Sequence, residues 1–300
     1  MFRQTQRIEG AHNDGIWTID WKDGNILTGS LDGSCKLWNA TEKSEVKLVA
    51  SASKQSFGIT SVICANDGSF AVSVSQDAKI RLHDMKDMAE IGLIDPGILE
   101  AWTLSISPRD DIIASGTHQG SINIWSVHSR EKTSVIQSSS KFVLSTAFSS
   151  DNTKIASVGM DGILNIYDLT KEGQLSKSIE AHSLPARKVI FSEDGNLVFT
   201  ASDDRHVSVF DTKSGTVINS FSHSGMALTL DLSPDRRHIL VGCSDHIVAY
   251  WDLAMQRREQ SFDTSHSNFV WGVSFDATGN RFASVGEDAL LQIYETSGSL

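Results

Sequence analysis

The chain is 300 residues long, with 40% hydrophobic and 21% charged residues, which is typical of a folded globular protein and too apolar for a disordered one. The formal net charge of -11 argues against a general nucleic-acid binder, because affinity for phosphates depends on Lys and Arg. No apolar run approaches the ~18 residues that span a bilayer, and no signal segment opens the chain. We therefore expect a protein of a reducing compartment that does not contact membranes.

The three cysteines, Cys35, Cys64 and Cys243, lie far apart and form no CxxC pair. A disulfide framework or a thiolate zinc site requires closer and paired spacing. The sequence therefore predicts buried, free cysteines that pack as small apolar side chains.

Taken in chain order, the predicted elements are short strands. Apolar and polar residues alternate with a period of two, and Asp-Gly, Asn-Asp-Gly or Ser-Pro turns separate the segments. Pro108 and Pro234 fall in Ser-Pro turns between first and second strands, where a missing N–H does no harm. No segment has sustained helical periodicity, so each unit is predicted to be a small antiparallel sheet.

One unit repeats seven times along the chain. The aligned segments are GSLDGSCKLWN, VSQDAKIRLHD, GTHQGSINIWS, VGMDGILNIYD, ASDDRHVSVFD, GCSDHIVAYWD and VGEDALLQIYE. Each has a turn acid or its substitute: Asp32, Asp77, Gln119, Asp161, Asp204, Asp245 and Asp288. Six residues later stands an aromatic or its substitute: Trp38, His83, Trp125, Tyr167, Phe210, Trp251 and Tyr294. The aromatics recur every 41 to 45 residues, and this period together with the strand content predicts an all-β propeller.

The repeated ending, with a Ser or Thr before the acid, a Trp-Asp pair after it and a His upstream, resembles the WD40 repeat over the entire chain. His12, Thr28, Asp32 and Trp38 match the structural tetrad of that family, in which four side chains are linked by hydrogen bonds. The resemblance implies a seven-bladed WD40 β-propeller. The third unit has lost both the His and the Asp, so we expect packing alone to hold its turn.

We predict a single domain over residues 1–300. Its repeats would span approximately residues 12–52, 53–96, 97–137, 138–180, 181–221, 222–263 and 264–300. The seventh unit stops soon after its third strand, while the residues ahead of His12 read GlnThrGlnArgIle, like an outer strand without its own blade. The resemblance implies that residues 1–11 supply the closing strand of blade seven and remove an exposed edge.

The sequence contains no GxGxxG, GxxxxGK[ST], GxSxG or HExxH motif. His12, His182, His223 and His266 recur at one repeat position, so each belongs to a different blade and no metal cluster is expected. The turn aspartates follow the same spacing and are predicted to hold their turns rather than to act as general acids. We therefore expect no enzyme, no cofactor and no metal.

Function is then expected on rim positions that the repeat does not need. WD40 proteins generally direct three positions per blade to the narrower, top face, and here these positions hold many large apolar residues: Trp17, Trp102, Trp271, Phe142, Leu144, Met226, Leu228 and Phe269. Because each Trp can bury ~150 to 250 Å², the set predicts a partner-binding surface. The alternative is that these side chains turn inward as core, and a bulge in the strand would change which face they occupy.

Charged residues share the same positions: Glu100, Arg187, Asp203 and Glu287. We expect the three acids to receive an Arg or Lys of a partner segment whose apolar side chain enters the aromatic patch. The alternative is that they are solvated loop acids.

Segments such as HNDGIWTIDW, LEAWTLSISP and FVWGVSFDATGNRFASVGEDALLQIYE resemble the WD-repeat subunits of the superkiller (Ski) RNA-decay complex, which in animals also belong to the RNA polymerase II-associated factor (Paf) complex. The resemblance implies a non-catalytic adaptor of cytoplasm and nucleus, monomeric on its own, that receives Arg-containing, hydrophobic-ended peptides on its top face. The implied partners are the tetratricopeptide-repeat scaffold and the helicase of the Ski complex, and Paf complex subunits. Three alternatives stay open: an adaptor of another complex, such as a ubiquitin ligase or a chromatin complex; an enzyme with a site in the channel; and an RNA binder that stacks bases on Trp.

Overall fold

Seven four-stranded antiparallel sheets make up the protein. The computed structural model describes residues 1–41, 45–97, 99–138 and 141–297, so the last three residues of the predicted seventh repeat lie outside the described residues. Within these ranges the chain forms strands β1 to β28 and one three-residue 3-10 helix, η1 (Leu169–Lys171). The predicted all-β, seven-bladed propeller is confirmed.

The first three blades each use four consecutive strands. Blade one has β2 (Ile16–Lys22), β3 (Asn25–Ser30), β4 (Cys35–Asn39) and β5 (Lys47–Ser51). Blade two has β6 (Ile59–Cys64), β7 (Phe70–Ser75), β8 (Ile80–Asp84) and β9 (Glu90–Ile94). Blade three has β10 (Thr103–Ile106), β11 (Ile112–Gly116), β12 (Ser121–Ser126) and β13 (Lys132–Gln137).

Blades four to six follow the same order. Blade four has β14 (Val143–Phe148), β15 (Lys154–Gly159), β16 (Ile163–Asp168) and β17 (Gln174–Glu180). Blade five has β18 (Ala186–Phe191), β19 (Leu197–Ser202), β20 (His206–Asp211) and β21 (Val217–Ser222). Blade six has β22 (Ala227–Leu232), β23 (His238–Cys243), β24 (Val248–Asp252) and β25 (Arg257–Phe262).

Blade seven joins the two ends of the chain. Its strands are β26 (Val270–Phe275), β27 (Arg281–Gly286), β28 (Leu291–Thr296) and, outermost, β1 (Phe2–Ile8), which pairs antiparallel with β28. Phe2 is buried, and its backbone exchanges two hydrogen bonds with the Gln260 side chain of blade six. The side chain of Gln6 exchanges two hydrogen bonds with the backbone of Val46 in blade one. Closure of the ring by the N-terminal strand is therefore confirmed.

The hydrophobic core lies between neighbouring blades. One cluster joins blade two, through Val72 and Ile80, to blade three, through Leu104 and Trp125. Another joins blade seven to blade one. Fully burying a side chain of this size contributes ~1.5–3 kcal/mol, so most of the stability of each sheet depends on its neighbours in the ring.

The inner strands of neighbouring blades do not pair through their backbones, and short polar side chains bridge them instead. Thr18 Oγ1 accepts from the Val62 N–H (3.1 Å), and Ser61 Oγ accepts from the Leu104 N–H (3.2 Å). The same pattern recurs between blades four and five. These bridges hold the first strands of the blades around a common channel.

The turn of blade three differs from its predicted state. Packing alone does not hold it, because the Thr117 hydroxyl accepts a hydrogen bond from the Ser121 N–H (3.0 Å) and lies 2.9 Å from Ser121 Oγ. Two hydroxyl residues thus take the place of the lost acid in this turn.

The three cysteines are buried and free, as predicted. In the part of the chain that the structure describes, no helix has the length and apolar character needed to cross a membrane.

Candidate partner-binding surface

A β-bulge near the start of the inner strands sets the direction of the predicted top-face residues. In β2, Ile16 pairs with Ser30 and Thr18 with Gly29, so Trp17 between them is the unpaired, bulged residue. The same shift leaves Trp271 unpaired in β26, and it recurs at Thr60, Leu144, Arg187 and Leu228. A bulge re-aims one side chain, and these six side chains line one channel mouth together with Trp102, which lies just before β10.

Five aromatic side chains form a continuous row beside this mouth, which we call the aromatic arc: Phe269, Trp271, Trp17, Trp102 and Phe142. The centroids of successive rings lie 5.8, 5.6, 6.3 and 5.4 Å apart, within the range of favourable aromatic pairs. All five side chains are half-buried. The arc therefore draws on blades seven, one, three and four and leaves part of each ring accessible.

Thr60 occupies the bulge position of blade two between two tryptophans. Its hydroxyl donates to the backbone carbonyl of Trp102 (2.7 Å). Because Thr is small, the indoles of blades one and three reach across blade two and approach each other to 6.3 Å. The missing aromatic of blade two thus makes the arc continuous.

Glu287 holds two members of the arc in place. Its Oε2 atom accepts hydrogen bonds from the Trp17 Nε1–H (3.0 Å) and from the Trp271 Nε1–H (2.6 Å). The carboxylate packs over Gly15, where an added Cβ would lie 3.0 Å from the Glu287 carboxylate. One oxygen of Glu287 thus fixes the orientation of two indoles that come from different blades.

The other predicted charged residues also have partners within the chain. Arg187 and Asp203 form a two-point ion pair, with both N···O distances 2.8 Å. Glu100 accepts from the Asn123 amide (2.8 Å) and lies 3.5 Å from Lys132 Nζ. Glu100, Asp203 and Glu287 thus already bind groups of the chain itself, and their pairing with a partner's base stays a prediction.

The predicted aliphatic residues lie beyond the arc. Leu144 and Leu228 line the channel mouth, Leu144 half-buried and Leu228 buried. Met226 is half-buried, and its backbone N–H donates to Ser244 Oγ (2.9 Å). The structure thus brings all twelve predicted residues to one end of the ring, while their partner-binding role stays a prediction.

The channel below the mouth is a cavity of about 260 Å³ with mostly polar walls. Asp20 Oδ2 accepts from the Cys64 N–H and Asp231 Oδ2 from the Phe275 N–H, both at 2.7 Å, so each acid joins two blades. Burial raises the pKa of Asp231 to about 6, against the opposing effect of the Phe275 and Leu232 backbone N–H groups that donate to its carboxylate. Asp20 and Asp231 therefore line the channel, whereas the turn aspartates do not. The hydrogen bonds of Asp20 and Asp231 identify these two acids as bridges between blades.

The family model described as "WD domain, G-beta repeat" matches seven segments of the chain: residues 3–39, 46–84, 98–126, 130–168, 173–211, 215–252 and 257–295. Together these segments cover most of the 300 residues. The chain belongs to the WD40 repeat family. Most of the matches begin at the outer strand of one blade and end on the third strand of the next, which is how the first match includes the closing strand β1.

Two of three curated relatives are named as WD repeat-containing proteins. The chain is 34% identical to WD repeat-containing protein SL1-17 of Schistosoma mansoni over 292 residues, which are 95% of this chain and 96% of that protein. It is 32% identical to WD repeat-containing protein VIP3 of Arabidopsis thaliana over 205 residues, 62% of this chain and 63% of that protein. It is 25% identical to Meiotic recombination protein rec14 of Schizosaccharomyces pombe over 209 residues, 69% of each chain.

The WD40 tetrad of blade one fixes the loop that leads into β2 and Trp17. His12 Nε2 lies 2.7 Å from Thr28 Oγ1, which also accepts from the Trp38 Nε1–H (2.9 Å). Asp32 reaches the ring through Ser34, whose Oγ lies 2.7 Å from His12 Nδ1, while the direct distance from His12 Nδ1 to Asp32 Oδ1 is 3.6 Å. Burial lowers the pKa of His12 to about 4, so the ring is neutral near pH 7.

Sequence reasoning missed residues that replace the WD40 tetrad in blade two. Gln55 stands at the position of the loop His, and its Oε1 accepts from Arg81 Nη1 (2.7 Å). Arg81 also pairs with Asp77 (2.8 Å), while His83, in place of Trp, lies 2.9 Å from Ser73 Oγ. The alignment of the repeats contains this signal, because Gln55 lies five residues before Thr60 as His12 lies five before Trp17.

His118 is a further residue of the WD40 top face that the predicted set omitted. Its ring stacks on Phe142 with a centroid distance of 4.0 Å and meets Trp102 edge-on at 5.2 Å. Burial lowers the pKa of His118. The sequence signal for this residue is that His118 directly precedes Gln119, which replaces the turn acid of blade three.

Proposed function

We propose that this protein is a non-catalytic adaptor that holds segments of partner proteins on the aromatic arc. The observation that carries the proposal is the row of five half-buried aromatic rings that four blades contribute beside one channel mouth. Aromatic side chains, and Trp and Tyr above all, supply much of the energy at protein interfaces. A partner segment that covers the arc would bury rings whose orientation the chain has already fixed.

The proposed complexes are the Ski complex of mRNA decay and the Paf complex of transcription elongation, with the protein in both cytoplasm and nucleus. Support comes from the resemblance of the segments around Trp17, Trp102 and Trp271 to the WD-repeat subunits of those complexes. The proposed partners are the tetratricopeptide-repeat scaffold and the helicase of the Ski complex, and Paf subunits. The name of the fission-yeast relative assigns that protein to meiotic recombination, which favours keeping an adaptor of another complex as the second candidate.

Affinity purification of the wild type beside a Trp102→Ala/Trp271→Ala variant tests the adaptor function. Truncation of one interface Trp costs ~2–4 kcal/mol, so we expect the double variant to lose the tetratricopeptide-repeat scaffold. A Val217→Ala/Ile218→Ala variant is the matched control, because both residues are exposed on the outer strand β21 and lie away from the arc. Equal recovery of the same partners by wild type and the double Trp variant would refute the proposal.

The salt dependence of binding separates the adaptor from an RNA binder. Association with RNA weakens steeply as salt rises, because protein cations displace counterions from phosphates. A contact through aromatic rings should change little between 50 and ~200 mM salt. We expect the second behaviour, and a steep loss of affinity for single-stranded RNA that also requires Trp102 would favour stacking of bases instead.

A further inference from the structure

A histidine and two carboxylates converge at the end of blade six that lies opposite the arc. His238 begins β23, Asp252 ends β24, and Glu259 lies near the start of β25. His238 Nε2 is 3.9 Å from Asp252 Oδ2 and 3.7 Å from Glu259 Oε2, and the three atoms all lie within 4.8 Å of one another. These distances exceed those of hydrogen bonds, so the atoms face one another across a small gap.

We propose that this gap is a binding site for a divalent transition-metal ion, with Zn²⁺ as the best fit. Zinc accepts imidazole nitrogen and carboxylate oxygen at ~2.0–2.2 Å, which places tetrahedral ligands roughly 3.4 Å apart. Small rotations of His238 and Glu259 would bring the three atoms to that spacing. Three protein ligands leave the fourth position to water.

Neighbouring groups lie against each ligand. The His238 ring stacks on Tyr250 at 4.7 Å, and its Nδ1 lies 3.6 Å from Asp235 Oδ2, so a small rotation would let this carboxylate accept from the ring N–H, as carboxylates behind metal-binding imidazoles do. Asp252 is 5% exposed, and its Oδ1 accepts from the Met255 N–H (2.7 Å), which leaves Oδ2 facing His238. Arg257 approaches Glu259 through the other oxygen, Oε1 (3.7 Å).

Comparison of the blades shows why His238 is unusual. The first residue of the second strand is Lys154 in blade four and Arg281 in blade seven. Lys154 lies 3.9 Å from Asp151 and Arg281 lies 3.5 Å from Asp276, so a permanent cation faces an acid of the preceding turn in both blades. An imidazole can donate a nitrogen lone pair to a metal, which neither of these cations can do. Blade six alone combines that ligand with Asp252 and Glu259 among the described residues.

Titration of the chelator-treated full chain with ZnCl₂ at pH 7.5, followed by calorimetry and thermal unfolding, tests the site. We expect one saturable ion per chain and a melting temperature that rises with Zn²⁺ concentration, since an ion bound only by the folded state stabilises it. His238→Lys copies blade four and should fold without responding to the ion. His206→Lys is the matched control, because His206 is an exposed histidine near one acid, Asp204, and its loss should leave binding intact.

Glu259→Gln keeps the test informative if His238→Lys fails to fold. This exposed substitution should weaken Zn²⁺ binding at least tenfold, because it removes a charged ligand. Absence of saturable binding by the wild type would overturn the proposal. Equal affinity in the wild type and the His238→Lys variant, or in the wild type and the Glu259→Gln variant, would also overturn it.

Discussion

At the scale of single residues, the bulged position of each inner strand determines the character of the channel mouth. A regular strand would send Trp17 and Trp271 into the space between blades, whereas the bulge turns both indoles toward the mouth. Glu287 then fixes their orientation through one oxygen. Glu287 therefore positions two tryptophans, while its pairing with a partner's base stays a prediction.

Glu287→Ala should release both indoles and weaken partner binding, even though the partner need not touch this carboxylate. Loss of two hydrogen bonds to a charged acceptor costs ~1.5–3 kcal/mol each. We expect the indole N–H resonances of Trp17 and Trp271 to move and those of Trp38 and Trp125 to stay.

Glu287→Gln is the conservative variant that separates positioning from charge pairing. The Gln carbonyl can still accept from both indoles, so this variant should retain the Trp resonances and most of the affinity. Full loss of binding in Glu287→Gln, with unchanged resonances, would show that a partner's cation pairs with this carboxylate directly.

Asp231 predicts a specific dependence of stability on pH. Its pKa in the folded protein is about 6, above the ordinary 3.8, so ionisation of this half-buried carboxyl in the channel opposes folding. The cost is absent below about pH 3.8 and grows as pH rises through 6, to an upper limit of ~3 kcal/mol. Urea titrations should therefore show that Asp231→Asn becomes more stable relative to the wild type, in free energy of unfolding, as pH rises from 4 to 7.

Asp194 is a control, because its pKa is shifted in the direction opposite to that of Asp231. Hydrogen bonds from Ser192 and Asn196 lower the pKa of this turn acid to about 2, so its ionised form supports the fold. Asp194→Asn should lose stability relative to the wild type as pH rises through 2 to 4. Parallel pH profiles for the wild type and Asp231→Asn would contradict the account of the channel acid.

At the scale of strands and turns, the sequence pattern identified the repeated four-stranded sheet. The period of the turn acids and aromatics predicted seven sheets, and the unpaired outer strand near residue 5 predicted the closure that β1 performs. The pattern could not show the hydrogen-bond partners of Glu100, Asp203 and Glu287. These partners lie 16 or more residues away in sequence and are brought close only by the fold. The pattern also could not show that other residues take over the role of a missing turn acid, as Thr117 and Ser121 do in blade three.

Deletion of residues 1–10 should destabilise the whole ring rather than one blade. The deletion removes a paired strand, the buried Phe2 and the Gln6 contacts with Val46. Loss of a buried Phe alone costs ~3–5 kcal/mol, so calorimetry should show a single transition at a melting temperature lower by roughly 10 °C or more. Arg3→Ala, an exposed change on the same strand, should leave the transition in place, and an unchanged melting temperature in the deletion variant would refute closure as a source of stability.

At the scale of the whole molecule, the ring has the aromatic arc at one end and the proposed metal ligands at the other. The WD40 scaffold supplies the geometry, since hydrogen-bonded loops and bridged inner strands hold the mouth. The net charge of -11 adds repulsion toward phosphate backbones, which favours the proposed binding of protein segments over binding of RNA. Under the proposed function, the ring would hold a partner segment at one end and leave the rest of its surface available.

The indole N–H resonances of the seven tryptophans provide the most direct test of this account. Trp17, Trp102 and Trp271 belong to the arc, whereas Trp21, Trp38, Trp125 and Trp251 lie elsewhere in the blades and serve as internal controls. On titration of the ¹⁵N-labelled protein with the tetratricopeptide-repeat scaffold, we expect the three arc resonances to shift or broaden more than the other four. A saturating partner that leaves all three arc resonances unchanged would contradict the aromatic arc as the binding surface.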